Sequence, residues 1–231
     1  MKDVPYAEAT GSVLWPIIIS RPDCAFAVSI LAQFIQNPGA AHWEALKWVM
    51  VYPKNYWHTF DGWSKMIPEG YCDADWAGQP NHHWISGYSF YFGQWAVMWS
   101  SKKQYVITLS STEAKYIALA HNTKEAVWLR SFISEIMGEP EKKMRVNCNN
   151  QGLIAHHQCT KHINIQYHYI WEVVEDQKLE VSYIPTDESP TDIFMKALLK
   201  LKFRKFIRLL GLRPELEEAK WKRGSNVELS V

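Results

Sequence analysis

Asp73 and Asp75 stand on alternate positions of the stretch GYCDADWAG, at the end of a short run with strand character. Alternate side chains of an extended chain share a face, so both carboxylates would point the same way. Glu113 falls in the first turn of a long helical pattern, and Asp192 follows Ser189 and Pro190 in PTDESPTDIF, where another helix could begin. Asn149 comes just after the apolar run MRVNC. Carboxylates from a strand end and two helix starts, gathered at one sheet edge, would form the hard-oxygen set that suits Mg²⁺. Each also has a plainer reading. Acidic side chains in first helical turns are favoured by capping and the helix dipole whatever the function, and Asp-x-Asp at a strand end is often a solvated turn. A second cluster, HHQCTKH at 156–162, offers Cys159 and His162 at metal-ligand spacing, but no further Cys pair follows at zinc-ribbon spacing. The same segment sets Thr160, Lys161 and His162 ahead of a helix start, a reasonable place for phosphate contacts.

These positions need a scaffold. Residues 5–60 carry three helical patterns, with Asp23 as a candidate N-cap for the second and Pro38-Gly39 as the break before the third. The Pro- and Gly-containing stretch 53–70 holds a linker, placed at 61–69. Beyond it GYSFYFG (87–93), AVMWSS (96–101) and YVITLS (105–110) are rich in aromatic and β-branched residues, as expected of an antiparallel meander. A long helix is predicted over 111–138, opened by a Ser110/Glu113 capping box and closed by Gly138. The strand MRVNC, a helix from about His162 to Asp176, the strand LEVSYIP and a final helical pattern through Leu210 complete an α/β domain with a mixed sheet over 70–212. The stretch 213–231 reads as a polar tail.

Composition narrows the function classes. Lys and Arg number 25 against 24 Asp and Glu, so no global field marks nucleic acid or an anionic membrane, and any phosphate-binding surface must be local. The four cysteines are widely spaced, which argues against a disulfide framework, and no secretory leader or membrane-spanning run is recognisable. An intracellular setting, cytoplasmic or nuclear, is the expectation. The twelve Trp fit core packing better than a row of base-stacking platforms.

Several of these segments together carry a resemblance. GYCDADWAG, ISGYSFYFG, WSSKKQ, LSSTEAKYIALA, the CNNQ turn, TKHINIQYHYI and SPTDIFMKAL occur in the order and approximate spacing of the ribonuclease H domain of copia-type retrotransposon Pol polyproteins. Residues 1–60 resemble the end of the reverse transcriptase region that precedes it, and the paired-aspartate polymerase motif is absent. The resemblance implies an RNase H-like fold: a mixed five-stranded sheet flanked by helices, with a helical N-terminal segment. It further implies a catalytic and metal-binding set of Asp73, Glu113, the position of Asn149, and Asp192, holding two Mg²⁺ ions, with Mn²⁺ as a substitute.

The implied reaction is hydrolysis of the RNA strand of an RNA/DNA hybrid, recognised by its 2′-hydroxyls. Lys102, Lys103, Thr160, Lys161 and His162 are the candidate nucleic-acid contacts, and the rest of a reverse transcriptase is a candidate partner. Family members usually have an Asp where this chain has Asn149, and no acidic residue between Glu141 and Glu172 replaces it. Trp84, Asn164, Gln166 and Pro53 are further departures from the family pattern. Two classes therefore stay open: a metal-dependent hybrid nuclease impaired at Asn149, and a non-catalytic hybrid-binding or vestigial relative.

Overall fold

The computed structural model of the protein describes residues 4–52, 56–58, 68–76, 83–106, 108, 110–151 and 164–214. Three helices open it, α1 (Tyr6–Ser20), α2 (Ala25–Ala32) and α3 (Ala40–Val51). They bury Tyr6, Val13, Ile17, Val28, Leu31 and Leu46 against one another. Asp23 does not cap α2. It sits in a 3-10 turn, Pro22–Cys24, and takes both forks of the Arg21 guanidinium at 2.9 and 2.6 Å. Both side chains are buried, and a bidentate pair satisfies a buried carboxylate better than one backbone N–H would.

A short strand β1 (Tyr56–His58) follows, within the Pro- and Gly-containing stretch, and pairs antiparallel with the last strand, β7 (Leu212–Pro214). The main sheet is mixed. Strands β2 (Pro68–Asp75), β3 (Ile85–Phe92) and β4 (Trp95–Lys103) form an antiparallel meander, and β5 (Met144–Cys148) and β6 (Leu179–Tyr183) add in parallel on the other side of β2. The order is β4-β3-β2-β5-β6, with β2 at the centre. This is the RNase H-like arrangement that the family resemblance implied.

The meander differs from expectation in one place: β4 runs through Lys103, and Tyr105 and Val106 are exposed bends where a further strand was expected. Gln104 ends the ladder. Its backbone N–H donates to the Trp84 carbonyl at 2.8 Å, and its buried amide donates to Ser86 Oγ and the Ala114 carbonyl, turning the chain toward the next helix.

That helix, α4 (Ser111–Met137), begins after Ser110 and ends at Gly138 as its sequence predicts, with the Ser110 half of the expected capping box in place. The Glu113 N–H donates to Ser110 Oγ at 3.1 Å, and Gly138 takes the left-handed conformation, φ 64°, that favours glycine. With α5 (Asn164–Glu175) it covers one sheet face, burying Cys72, Phe90, Tyr116, Leu119, Met144, Val146 and Ile170. Phe90 is fully buried, and removing such a ring costs about 3–5 kcal/mol. The opposite face is covered by the 3-10 turn Pro190–Phe194 and α6 (Lys200–Leu209), through Ile193, Phe194, Phe206 and Ile207. Phe26 and Ile30 of α2 also join this second core, which ties the helical segment to the sheet.

Gly87 brings the 3-10 turn close. It lies directly across from Asp73 in the β2/β3 register and so shares its face. A Cβ at Gly87 would meet Phe194 Cβ and Met195 Cγ at 2.9 Å and the Thr191 carbonyl at 3.2 Å. Gly87→Ala should therefore push the turn off the sheet and destabilise the fold by about 1–3 kcal/mol, read as a lower urea midpoint with an unchanged slope. An unchanged midpoint would show that the turn does not depend on this approach.

Candidate functional site

Strands β2 and β5 run parallel with Cys72 opposite Cys148, so the residues just beyond, Asp73 and Asn149, emerge side by side at the carboxyl ends of the two strands. Ligand sites of open α/β sheets form at such ends. The Asp73 side chain is almost fully buried there, and each of its oxygens is engaged. Oδ1 accepts the Ala74 N–H at 2.8 Å and lies 3.3 Å from Lys115 Nζ; Oδ2 accepts Asn149 Nδ2 at 2.6 Å. Lys115 Nζ also donates to Asn149 Oδ1 at 2.7 Å, which closes a triangle. An ammonium cannot accept and an ionised carboxylate cannot donate, so these neighbours fix which way the Asn149 amide faces.

Burial pushes the Asp73 carboxyl above its ordinary value, while Lys115, the Ala74 N–H and Asn149 oppose that rise. Lys115 was not among the sequence candidates. The signal for it was a basic residue two positions after Glu113 in STEAKY, but residues two apart on a helix do not share a face, so spacing alone separates them.

Asp192 lies in the 3-10 turn Pro190–Phe194 and not in the first turn of a full helix, since α6 begins only at Lys200. Ser189 lends it no side-chain cap; its hydroxyl is shared with Thr191 Oγ1 at 2.7 Å. The Asp192 carboxylate has 0% exposure and is held by two ammonium groups, Lys196 at 2.9 Å and Lys202 at 2.8 Å. Lys196 also reaches Asp75 Oδ2 at 3.0 Å. Burial works against its charge, but Asp192 and Asp75 outweigh that and hold its pKa above the ordinary value. Glu113 is half-buried in the first turn of α4.

The structure thus brings Asp73 and Asn149 together and joins Asp192 to Asp75 through Lys196. Among the described residues no three His, Cys, Asp or Glu side chains gather closely enough to hold a metal ion. The donor set explains why a pair of divalent ions does not fit this arrangement. Asn149 supplies one neutral oxygen, already turned to Lys115; Asp73 has one oxygen beside the Lys115 ammonium and the other on the Asn149 amide, and both oxygens of Asp192 face ammonium groups. An ammonium about 4 Å from a divalent ion is repelled by about 8 kcal/mol at an effective dielectric constant near 20, so any ion would first have to displace it.

A second feature lies where β3 and β4 meet α4. Ser86, Tyr88, Ser100, Lys102, His121 and Lys124 line a groove of about 330 Å³, with the carboxylate of Glu125 also on its wall. Hydroxyls and ammonium groups in one groove suit phosphate oxygens. Burial, Lys102 and Lys124 hold the His121 imidazole below its ordinary value, with Glu125 opposing. Lys102 also lies over the ring of Tyr105, 5.4 Å from its centroid, and Tyr105 is 84% exposed, the form of a stacking platform.

Of the sequence candidates, Lys102 lines this groove, and Lys103 joins Lys102, Tyr105 and His121 around an adjoining one. His121 and Lys124 were missed, because only the packing of α4 against the sheet turns them toward Lys102. Thr160, Lys161 and His162, with the rest of HHQCTKH, lie outside the described residues. No described helix is long and apolar enough to cross a membrane.

No protein-family model matches the chain. It is 40% identical over 223 residues to the retrovirus-related Pol polyprotein from transposon TNT 1-94 of Nicotiana tabacum, a match covering 92% of this chain and 17% of that protein. The chain therefore spans about a sixth of that relative. It is 44% identical over 135 residues to the secreted RxLR effector protein 161 of Plasmopara viticola, covering 56% of this chain and 94% of that one. Among solved structures, the foamy viral protease-reverse transcriptase in complex with RNA/DNA hybrid aligns with a TM-score of 0.46 at 10% identity, over 78% of this chain and 24% of that one. On the identity that runs along most of its length, the chain belongs to the copia-type family of retrotransposon Pol polyproteins.

Proposed function

We propose that this chain is an RNase H-like domain that engages RNA/DNA hybrids through the groove between β3, β4 and α4, and whose hydrolytic site is impaired. The observation that carries the reading is the triangle of Asp73, Asn149 and Lys115, in which the central carboxylate is matched by a protein ammonium and the neighbouring strand end offers an amide. Family membership and the sheet order support a hybrid as the ligand. Glu113 and Asp192 take the remaining positions of the carboxylate set, with Asp192 drawn into its own lysine pairs.

Hybrid binding needs no metal in this reading. Lys102 and Lys124 would pair with phosphates, Ser86 and Ser100 would donate to phosphate or sugar oxygens, and Tyr105 would stack on an exposed ring. We read residues 1–60 as the end of a reverse transcriptase region, joined to the RNase H-like domain by a linker that ends where β2 begins at Pro68. Trp15, Ile18, Ile19 and Trp48, all exposed on the helical segment, suit contact with more of such a protein.

Three outcomes test this. Fluorescence anisotropy on a labelled hybrid should give an affinity that falls with salt, and Lys102→Ala and Lys124→Ala should each lower the log–log salt slope by about 1. Equal affinity for hybrid, duplex DNA and single strands would remove the hybrid from the proposal.

On denaturing gels the RNA strand should stay intact in Mg²⁺ or Mn²⁺ over times at which a fully competent site, turning over at about 1 s⁻¹ or faster, would exhaust it. Metal-dependent cleavage that vanishes in Asp73→Asn would contradict an impaired site.

Stability against pH tests the burial of Asp73. Its carboxyl is raised in the folded chain, so it costs stability above that raised value, and the cost disappears below the ordinary carboxylate pKa, near 3.9. Asp73→Asn should melt higher than the wild type at pH 7, with the gain shrinking as pH falls through the carboxylate range. A lower melting temperature at pH 7 would mean that Lys115 and Asn149 outweigh burial.

A further inference from the structure

The geometry points to Lys115 as the resident cation of the strand-end site: its ammonium lies against one oxygen each of the paired Asp73 and Asn149 and keeps divalent ions out, so that Asn149 is only half of the lesion. This rests on the proposed impaired site and assigns the impairment to a second residue.

Three observations converge on it. The Lys115 side chain is mostly buried, with 19% exposure, so it is committed to the site and is not a surface charge resting nearby. Its ammonium touches the two groups that would otherwise share an ion, Asn149 Oδ1 at 2.7 Å and Asp73 Oδ1 at 3.3 Å. Asn149 also gives its donor nitrogen to Asp73 Oδ2 at 2.6 Å, with a longer approach to Thr186 Oγ1 at 3.4 Å, so the three side chains satisfy one another without a metal. A part-buried ammonium with an amide oxygen and a carboxylate oxygen beside it has acceptors for two of its three N–H groups without a metal. An aspartate at position 149 would not displace it. A second carboxylate would bind Lys115 more tightly, giving one ammonium two anionic partners.

This separates two repairs that sequence alone would treat as one. Replacing Asn149 restores the carboxylate but leaves the ammonium in place. Replacing Lys115 as well leaves Asp73 and a new carboxylate adjacent, with no internal counter-charge. Two such groups then need an external cation, and divalent ions with oxygen preference are the chemical class they would take.

The experiment is a Mn²⁺ titration of the full chain by calorimetry and electron paramagnetic resonance, with melting temperatures measured with and without Mn²⁺. The proteins are wild type, Asn149→Asp, Asn149→Asp/Lys115→Gln and Asn149→Asp/Lys115→Arg. Lys115→Met serves as a second neutral replacement if the Gln form does not fold. The wild type and Asn149→Asp should show no saturable site at millimolar Mn²⁺. The Gln double variant should bind at least about tenfold more tightly than Asn149→Asp, which is about 1.4 kcal/mol, and should melt higher when Mn²⁺ is added. The Arg double variant keeps the charge and should bind no better than Asn149→Asp.

Tight binding by Asn149→Asp alone, equal to that of the Gln double variant, would overturn the role of Lys115 and leave the impaired-site reading standing. Saturable binding by the wild type, joined to hybrid cleavage, would overturn both.

Discussion

A carboxylate buried at the carboxyl end of the central strand must have positive charge beside it, and most of this molecule's functional character follows from which group supplies that charge. Asp73 cannot turn to water from β2, which is flanked by strands on both sides and covered on both faces. An isolated ionised carboxylate in such a place is prohibitively costly, so the group is either neutralised, paired or ligated. Here the partner comes from α4, the helix that packs directly on β2, and Asn149 at the end of β5 completes the hydrogen bonding. The interaction joins a strand, its parallel neighbour and the covering helix at one point.

Asp192 obeys the same logic. Asp192 is fully buried in a 3-10 turn that reaches the sheet because Gly87 has no side chain, and it too is held by lysines of its own segment. A site built for divalent ions keeps its carboxylates short of internal cations, so that external ones complete the charge. This one is internally matched. The groove at β3, β4 and α4 is built differently: Lys102 and Lys124 line it together with hydroxyls and a single carboxylate, Glu125. On the proposed function, binding of a polyanion and hydrolysis of it are therefore separable, and it is hydrolysis that the internal pairing closes off.

Much of the scaffold was legible in the sequence. The period change near residue 70, the Ser110 cap, Gly138 and the strands MRVNC and LEVSY each rest on a local signal that the tertiary structure keeps. What was not legible depends on long-range partners. Asp23 has the form of an N-cap, yet Arg21 takes it because both are buried together. Tyr56–His58 lies in a Pro- and Gly-rich stretch and becomes a strand only through Leu212–Pro214, far along the chain. YVITLS has strand composition, but Gln104 diverts the chain before it. At the site, Asp73 and Asn149 were readable from strand ends and family pattern. Lys115 was not, because its meaning lies in the distance from α4 to β2, which no spacing within STEAKY encodes.

Whether a protein ammonium or a metal ion neutralises Asp73 can be decided by anomalous diffraction from crystals of the wild-type chain soaked in Mn²⁺, with data collected at the manganese edge. If Lys115 holds the place, no manganese peak will lie within coordination distance of the Asp73 carboxylate, about 2.2 Å, and density for Lys115 will run to the Asp73–Asn149 pair. Manganese peaks flanking Asp73, with Lys115 swung out to solvent, would contradict it.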